Sequence, residues 1–207
     1  MDEFRSIGDV LPGGLPEWVR PITRPPERAT PPVNWTASKG IPPRYVSAEI
    51  EHFRPEDFAG GDVPDFATPR DLVIVGLNGR GKTHLAAAVA KHWGARWCQA
   101  TRFLSEIRST FSHDSSERET TILDRYGDPR CLVIDDVTAG NDSSFAKSAL
   151  LSLLDTRIGY LRPTLVTCYQ SSDQVAEFDP SIASRLGGFE VVRLVGPDRR
   201  KAPEVRP

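Results

Sequence analysis

The sequence predicts an α/β fold in which a parallel sheet of buried strands is flanked by helices. Three observations carry this. Leu72-Val73-Ile74-Val75 is an unbroken apolar run that leads straight into Gly76-Leu77-Asn78-Gly79-Arg80-Gly81-Lys82-Thr83, a G-x-x-x-x-G-K-T loop. A second apolar run, Cys131-Leu132-Val133-Ile134, ends in the paired carboxylates Asp135-Asp136. From Asp71 onward, apolar runs of strand length alternate with stretches of helical periodicity, the pattern of strand–helix–strand units.

The elements follow in order. Residues 1–43 hold nine of the eighteen prolines, with pairs at Pro25-Pro26, Pro31-Pro32 and Pro42-Pro43. Proline locks φ and lacks an N–H, so neither a long helix nor a central strand is sustained there. An extended, largely disordered Pro-rich N-terminal arm is expected over 1–43. Its Trp18 and Trp35 either anchor a partner or lie on the domain's own surface. Gly40-Ile41-Pro42-Pro43-Arg44-Tyr45 then leads into Glu49-Ile50-Glu51-His52-Phe53-Arg54, read as a turn and a short strand or helix, and a loop reaches Arg70. After the first strand and the Gly-rich loop, His84-Leu85-Ala86-Ala87-Ala88-Val89-Ala90 is helical and Arg96-Trp97-Cys98-Gln99 is a short strand. Thr101 to Phe111 is helical, with Phe103, Leu104, Ile107 and Phe111 spaced along one buried face and Arg102 and Arg108 off it. Residues 112–130 read as part helix ending at Tyr126–Pro129. Ser143 to Ile158 is a helix with Phe145, Ala149, Leu150, Leu153 and Leu154 facing in, and Pro163 to Cys168 is a buried strand. Asp179-Pro180-Ser181 starts a short helix that Gly187-Gly188 stops, Glu190 to Leu194 is the last strand, and 201–207 is a flexible tail.

The two motifs carry the chemistry. A glycine-rich loop between strand and helix turns backbone N–H groups toward a phosphate chain, and the helix N-terminus adds a fixed positive end. The candidate nucleotide contacts are Gly76, Asn78, Gly79, Gly81, Lys82, Thr83 and His84. Lys82 reaches the β- and γ-phosphates as a point charge, and the Thr83 hydroxyl is a ligand for Mg²⁺. Leu132 to Asp136 looks like the Walker B strand of a P-loop NTPase. There Asp135 holds Mg²⁺ through water, and Asp136 stands where related ATPases carry the carboxylate that polarises the attacking water. Aspartate is one methylene shorter than glutamate, so slow ATP hydrolysis is expected.

Composition bounds the alternatives. The chain has 207 residues, 39% apolar and 26% charged, as expected of one soluble domain with a tail. A net charge of −2 supplies no global basic field, so any nucleic-acid contact must be a local patch. No apolar run approaches a membrane span, and Met1-Asp2-Glu3-Phe4 lacks the start of a signal peptide, so a cytoplasmic location is expected. Cys98, Cys131 and Cys168 lie in or beside apolar runs without C-x-x-C spacing, which favours buried thiols over a zinc site or disulfides.

Over about residues 40–200 the sequence resembles the AAA+ helicase-loader ATPases of the DnaC type and their relatives, the IstB-type transposition helpers. The resemblance rests on Gly40-Ile41-Pro42-Pro43-Arg44-Tyr45, Gly81-Lys82-Thr83-His84-Leu85-Ala86-Ala87-Ala88 and Val133-Ile134-Asp135-Asp136. It continues in Arg162-Pro163-Thr164-Leu165-Val166-Thr167, Ile182-Ala183-Ser184-Arg185-Leu186 and Gly196-Pro197-Asp198-Arg199-Arg200. It implies an AAA+ ATP-binding domain over 44–200 with a five-stranded parallel sheet in order 5-1-4-3-2 and no clear C-terminal lid domain. It also implies that Arg185 is an arginine finger for the neighbouring subunit, and that Arg200, or the adjacent Arg199, is a sensor-2-like contact to ATP. In the family the segment between the two Walker motifs contacts DNA; here it carries Arg96, Arg102 and Arg108, with Arg118, Arg125, Trp97 and Phe103 interleaved.

Two departures stand out. The family's fourth strand usually ends Thr-Ser-Asn, whereas this chain reads Thr167-Cys168-Tyr169, with Gln170 as a substitute if the strand slips by one residue. The arm over 1–43 also lacks the folded helicase-binding or zinc module common in loaders. The resemblance therefore implies an ATP- and Mg²⁺-dependent protein that loads or remodels a replicative helicase on single-stranded DNA, with slow hydrolysis and head-to-tail homo-oligomers when ATP is bound. The competing readings are an ATPase helper of a transposase and a non-hydrolysing nucleotide-dependent adaptor.

Overall fold

The computed structural model describes residues 40–112, 115–138, 143–169 and 179–200. The arm over 1–39, Gln170 and the tail over 201–207 lie outside these residues. Five strands, β1 (Leu72–Val75), β2 (Arg96–Gln99), β3 (Leu132–Asp135), β4 (Thr164–Cys168) and β5 (Glu190–Arg193), form one sheet in the order β2-β3-β4-β1-β5. Every pairing is parallel, and the order is the expected one. The helices are α1 (Lys82–Trp93), α2 (Ala100–Ser109), α3 (Glu119–Gly127), α4 (Ser144–Gly159) and α5 (Pro180–Leu186).

Alternation along the strands divides the core in two. Leu72, Ile74, Val133, Leu165 and Val192 face α1 and the aromatic side chains Phe53, Phe58, Phe66 and Trp93. Val73, Val75, Leu132, Ile134 and Val166 face α2, α3, α4 and α5. Strands buried on both faces read as continuous apolar runs, which is why they were legible. Alanines 86, 87, 88 and 90 are all buried in α1, so this helix lies close against the sheet and fixes the loop that precedes it. Gly94 ends α1 in the left-handed conformation.

Ahead of the sheet, three single-turn 3₁₀ segments, Pro43–Tyr45, Ile50–His52 and Pro55–Asp57, wrap the α1 side. Phe58 closes this wrap by an antiparallel bridge to Leu194. One expectation needs correction. Phe111 is 61% exposed, because α2 ends at Ser109 and the chain turns there. Arg157, one turn beyond the predicted inward face of α4, is wholly buried. The buried thiols agree with the sequence reading.

Candidate nucleotide site

β1 hands the chain to the Gly-rich loop at the C-terminal edge of the sheet, where parallel-sheet proteins place their ligands. The loop is glycine-rich partly because of what lies behind it. A Cβ on Gly76 would meet the Leu194 carbonyl oxygen at 2.7 Å, and one on Gly79 would come within 1.8 Å of an Asp198 oxygen. The segment 196–200 thus packs directly on the loop, and the Arg199 N–H donates to the Gly79 carbonyl at 2.9 Å. Asn78 lies exposed at the loop's tip.

Lys82, the first residue of α1, curls back onto its own loop. Its Nζ donates to the carbonyls of Gly76 (2.8 Å) and Leu77 (3.1 Å) and lies 5.6 Å from the centre of the Tyr169 ring. Burial lowers its pKa, Asp136, Cys168 and Asp135 oppose that, and Arg200 adds to it. These carbonyl contacts are single hydrogen bonds to neutral acceptors, so a phosphate can displace them with a stronger charge-assisted bond.

Asp135 is buried at the end of β3. Burial pushes its carboxyl upward, while hydrogen bonds from Thr167 and Thr83 and the charge of Lys82 hold it down. The two motifs therefore meet: Thr83 of the loop lies close enough to the strand's carboxylate to favour its charged form. β4 completes the joint. The Thr167 hydroxyl donates to Asp135 at 2.7 Å and accepts the Asp136 N–H at 2.8 Å, and Asp136 itself adopts a left-handed backbone with φ of 59°. A hydroxyl and a carboxylate side by side are hard oxygen donors of the kind that bind Mg²⁺ together with substrate phosphates. The chemistry of the donor set fits the metal.

A cavity of about 380 Å³ opens beside the loop, lined by Lys82, Thr83, His84 and Arg200 and, from the 3₁₀ wrap, by Tyr45 and His52. His52 Nδ1 and His84 Nε2 lie 3.0 Å apart, although 32 residues separate them. Burial first, then His52, Arg199 and Lys91, lowers the pKa of His84. Tyr45 and His52 escaped the sequence analysis. Their signal was the stretch 40–54, which was read only as a lead-in to the domain.

The structure separates Arg199 from Arg200. The Arg199 guanidinium lies 4.2 Å from the Phe53 ring centre and bonds Asp57 at 2.6 Å and the His52 carbonyl at 3.2 Å. Both arginines line the cavity, but the Arg200 side chain has no partner among the described residues. Arg185, on α5, does not line this cavity; it makes an exposed two-toothed ion pair with Asp155 at 2.8 and 3.2 Å. Tyr169 follows β4 directly and stands beside Lys82, and Gln170 lies outside the described residues.

Of the arginines between the two motifs, Arg96, Arg102 and Arg125 line one cavity at the β2 edge, and Arg108 is not among its lining. Arg102 pairs with Glu106, Arg108 stands 5.8 Å from the Phe145 ring centre, and Arg96 stands 5.3 Å from that of Tyr126. Trp97 and Phe103, interleaved with them in the sequence, are 5% and 0% exposed and belong to the two cores. Neither can stack on a base.

Residues 72–196 match the ATPase family associated with various cellular activities (AAA). The protein belongs to this AAA family. The match starts at β1 and ends beyond β5, and it takes in both motifs of the AAA domain. Solved structures of the same fold include the DnaC helicase loader (18% identity, 74% of this chain and 100% of that one, TM-score 0.62). They also include DnaI (18%, 78% and 95%, TM-score 0.57) and AMPPCP-bound DnaA from Aquifex aeolicus (18%, 78% and 53%, TM-score 0.58). The chain spans about half the length of that DnaA structure and of a DNA replication initiation factor with the same fold. A comparison with curated protein sequences finds no match. Among the described residues, no helix is long and apolar enough to cross a membrane.

Proposed function

We propose that this AAA protein is a slow ATPase that loads or remodels a replicative helicase on single-stranded DNA. The observation that carries the ATPase reading is the junction of Lys82, Thr83, Asp135 and Thr167, which assembles a phosphate cation, a hydroxyl and a carboxylate around one point. Its likeness in fold to the DnaC helicase loader and DnaI supports the choice of helicase partner. One DnaA structure of this fold is bound to AMPPCP and single-stranded DNA, which supports the nucleic-acid arm.

In this reading the loop and Lys82 bind the triphosphate, Arg200 meets it from the C-terminal segment, and Tyr45 and His52 flank the base with His84. Mg²⁺ held by Thr83 and Asp135 would neutralise charge on the β- and γ-phosphates. Asp136 orients the attacking water. Arg185 acts on the neighbour's γ-phosphate. Its pair with Asp155 uses Nε and Nη2 and leaves Nη1 free for that contact. A residue that completes the next subunit's site makes the contact head-to-tail, which builds rings or open spirals. Arg96, Arg102 and Arg108 meet the DNA backbone, and the arm over 1–43 is left for the helicase.

A second reading, the nucleotide-dependent adaptor, is favoured by one observation: Tyr169, not an amide, stands against Lys82. ATP turnover measured with single-stranded DNA decides between them. Turnover that appears with DNA, vanishes in both Arg185→Ala and Lys82→Ala, and returns when the two variants are mixed supports the composite site. ATP-dependent assembly without turnover supports the adaptor. A mixture as inactive as either variant alone would falsify the shared-site mechanism.

A further inference from the structure

The Gly-rich loop is backed by two segments that lie far apart in the chain. One is Phe53 with the 3₁₀ turn Pro55–Asp57 behind it, and the other runs from Leu194 to Arg200. The two are tied to each other. The Ala59 N–H donates to the Arg193 carbonyl at 3.0 Å, the Val195 N–H donates to the Asp57 carbonyl at 2.8 Å, and Phe58 bridges Leu194. Together they meet the loop at Gly79 and Gly81, whose φ angles are 80° and 95°. A Cβ on Gly79 would collide with the Asp198 carboxylate, and one on Gly81 would lie 3.2 Å from both Arg199 Cδ and Phe53 Cε1. The loop therefore rests against these segments with no side chain between.

Arg199 is common to these contacts. Its N–H donates to the Gly79 carbonyl at 2.9 Å. Its guanidinium lies on the Phe53 ring, 4.2 Å from the centre, and donates from Nη1 to the His52 carbonyl at 3.2 Å and from Nη2 to the Asp57 carboxylate at 2.6 Å. Burial raises the Asp57 pKa, but the Arg54 N–H and the Arg199 guanidinium outweigh it and hold the carboxyl below its ordinary value. Both terminal nitrogens of Arg199 are thus committed within the protein, although the residue lines the cavity. An arginine engaged in this way reaches a phosphate only by giving up Asp57. It can instead hold the backbone that reaches the phosphate. A Gly-rich loop binds a phosphate chain through backbone N–H groups, and binding is tighter when those groups are already aimed.

We infer that Arg199 is a positioning residue for the phosphate loop, fixed by Asp57, so that Asp57 acts on nucleotide binding without touching the nucleotide. This role rests on the reading of the loop as the ATP site. The ion pair joins residues 142 positions apart, and it closes the 3₁₀ wrap and the segment beyond β5 behind the loop as one unit. Two adjacent arginines then do different work. Arg200, without a side-chain partner among the described residues, is left for the phosphates, and Arg199 holds the loop. The two roles open to Arg199 predict opposite signs. A phosphate ligand restrained by Asp57 binds better when it is released, whereas a positioning residue works worse when its anchor is removed.

The test uses the full chain and two probes, ATP and pyrophosphate, in calorimetric titrations, with melting curves to check that each variant is folded. Arg199→Ala and Asp57→Asn should each weaken the binding of both probes about tenfold. Asp57→Asn is the milder change, since it keeps an oxygen for the Arg54 N–H. The double variant should lie within about twofold of either single one, because both changes break the same linkage. Arg199→Lys should recover only part of the loss, since an ammonium lacks the planar fork that stacks on Phe53 and reaches two acceptors. Tighter ATP binding by Asp57→Asn would make Arg199 a restrained phosphate ligand and overturn the proposal. Parental affinity for both probes in the folded variants, or additive losses in the double variant, would also overturn it. So would a loss confined to ATP with pyrophosphate bound as by the parent, because the effect would then lie on the His52 side of the cavity and not at the loop. A parent protein that binds neither probe would sink the ATP reading and this role with it, whereas failure in the variants alone leaves the ATP reading standing.

Discussion

Lys82 and Arg157 are both cations bonded to backbone carbonyls, and they sit at opposite ends of the same sheet. Lys82, at the C-terminal edge, is half-buried and has two neutral carbonyl partners. Arg157, at the N-terminal edge, is 0% exposed and fully engaged. Its Nε donates to Thr164 Oγ1 at 2.8 Å, and its terminal nitrogens donate to the carbonyls of Tyr126, Gly127, Pro129 and Pro163 at 2.8 to 3.1 Å. Burial pushes its pKa down to about 10, which still leaves it charged near neutrality. The difference is one of saturation. A cation whose donors are all met by fixed carbonyls ties α3, α4 and β4 together. A cation with few, exchangeable partners beside an open cavity is poised for a ligand.

The largest test of this contrast removes the saturated cation. Arg157→Met leaves the carbonyls of α3 and of the β4 approach without donors. It should cost about 3 kcal/mol or more, seen as a melting temperature lower by roughly 6–12 °C. Arg157→Lys should recover only part, since an ammonium has three donors and no fork. A melting temperature within a degree or two of the parent would mean that the clamp is not structural.

Removing the poised cation should do the reverse. Lys82→Ala should leave the melting temperature of the nucleotide-free protein near the parent's and reduce ATP affinity by about a hundredfold, or roughly 2.7 kcal/mol. Unchanged affinity in a calorimetric titration would end the phosphate-loop assignment. Asp135→Asn sharpens the point, because it should weaken binding more with Mg²⁺ present than without it. Equal losses would remove Asp135 from metal binding.

A smaller effect is expected at Tyr169. Replacing it with Asn restores an amide beside Lys82 and should raise ATP turnover about tenfold, or about 1.4 kcal/mol in the barrier. Parental turnover in Tyr169→Asn would show that the phenol is not what limits hydrolysis.

The smallest effect concerns pH. The folded state holds the His84 pKa below its ordinary value of about 6.5. The unfolded chain therefore takes up this proton first. The contribution is fully present above about pH 6.5 and is lost as pH falls through the interval down to the folded pKa. Acid melting of the parent should be steeper through that window than melting of His84→Gln, and parallel curves would take His84 out of the transition.

The sequence was most legible where the signal is local. β1 and β3 are unbroken apolar runs, the Gly-rich loop is one contiguous motif, and Asp179-Pro180 with Gly187 marked the ends of α5. The helical face of α2 was read correctly for Phe103, Leu104 and Ile107 and failed at Phe111, where the helix had already ended. That Trp97 is buried was not legible, because a four-residue strand does not declare which of its faces is covered.

By itself, then, the sequence determined the α/β class, the phosphate loop and the carboxylate strand, because each depends on residues within a turn or a strand of one another. The sheet order came from resemblance to a family rather than from periodicity. Tertiary structure alone decided the rest. It set Asp198 against Gly79, His52 against His84, Arg199 onto Phe53 and Asp57, and Arg157 among the carbonyls of two other segments. It left Arg96 as the edge arginine without a carboxylate. Arg157 and Gly127 are 30 positions apart and Arg199 and Asp57 are 142 apart, and no local pattern records which arginine will find a partner when the sheet closes.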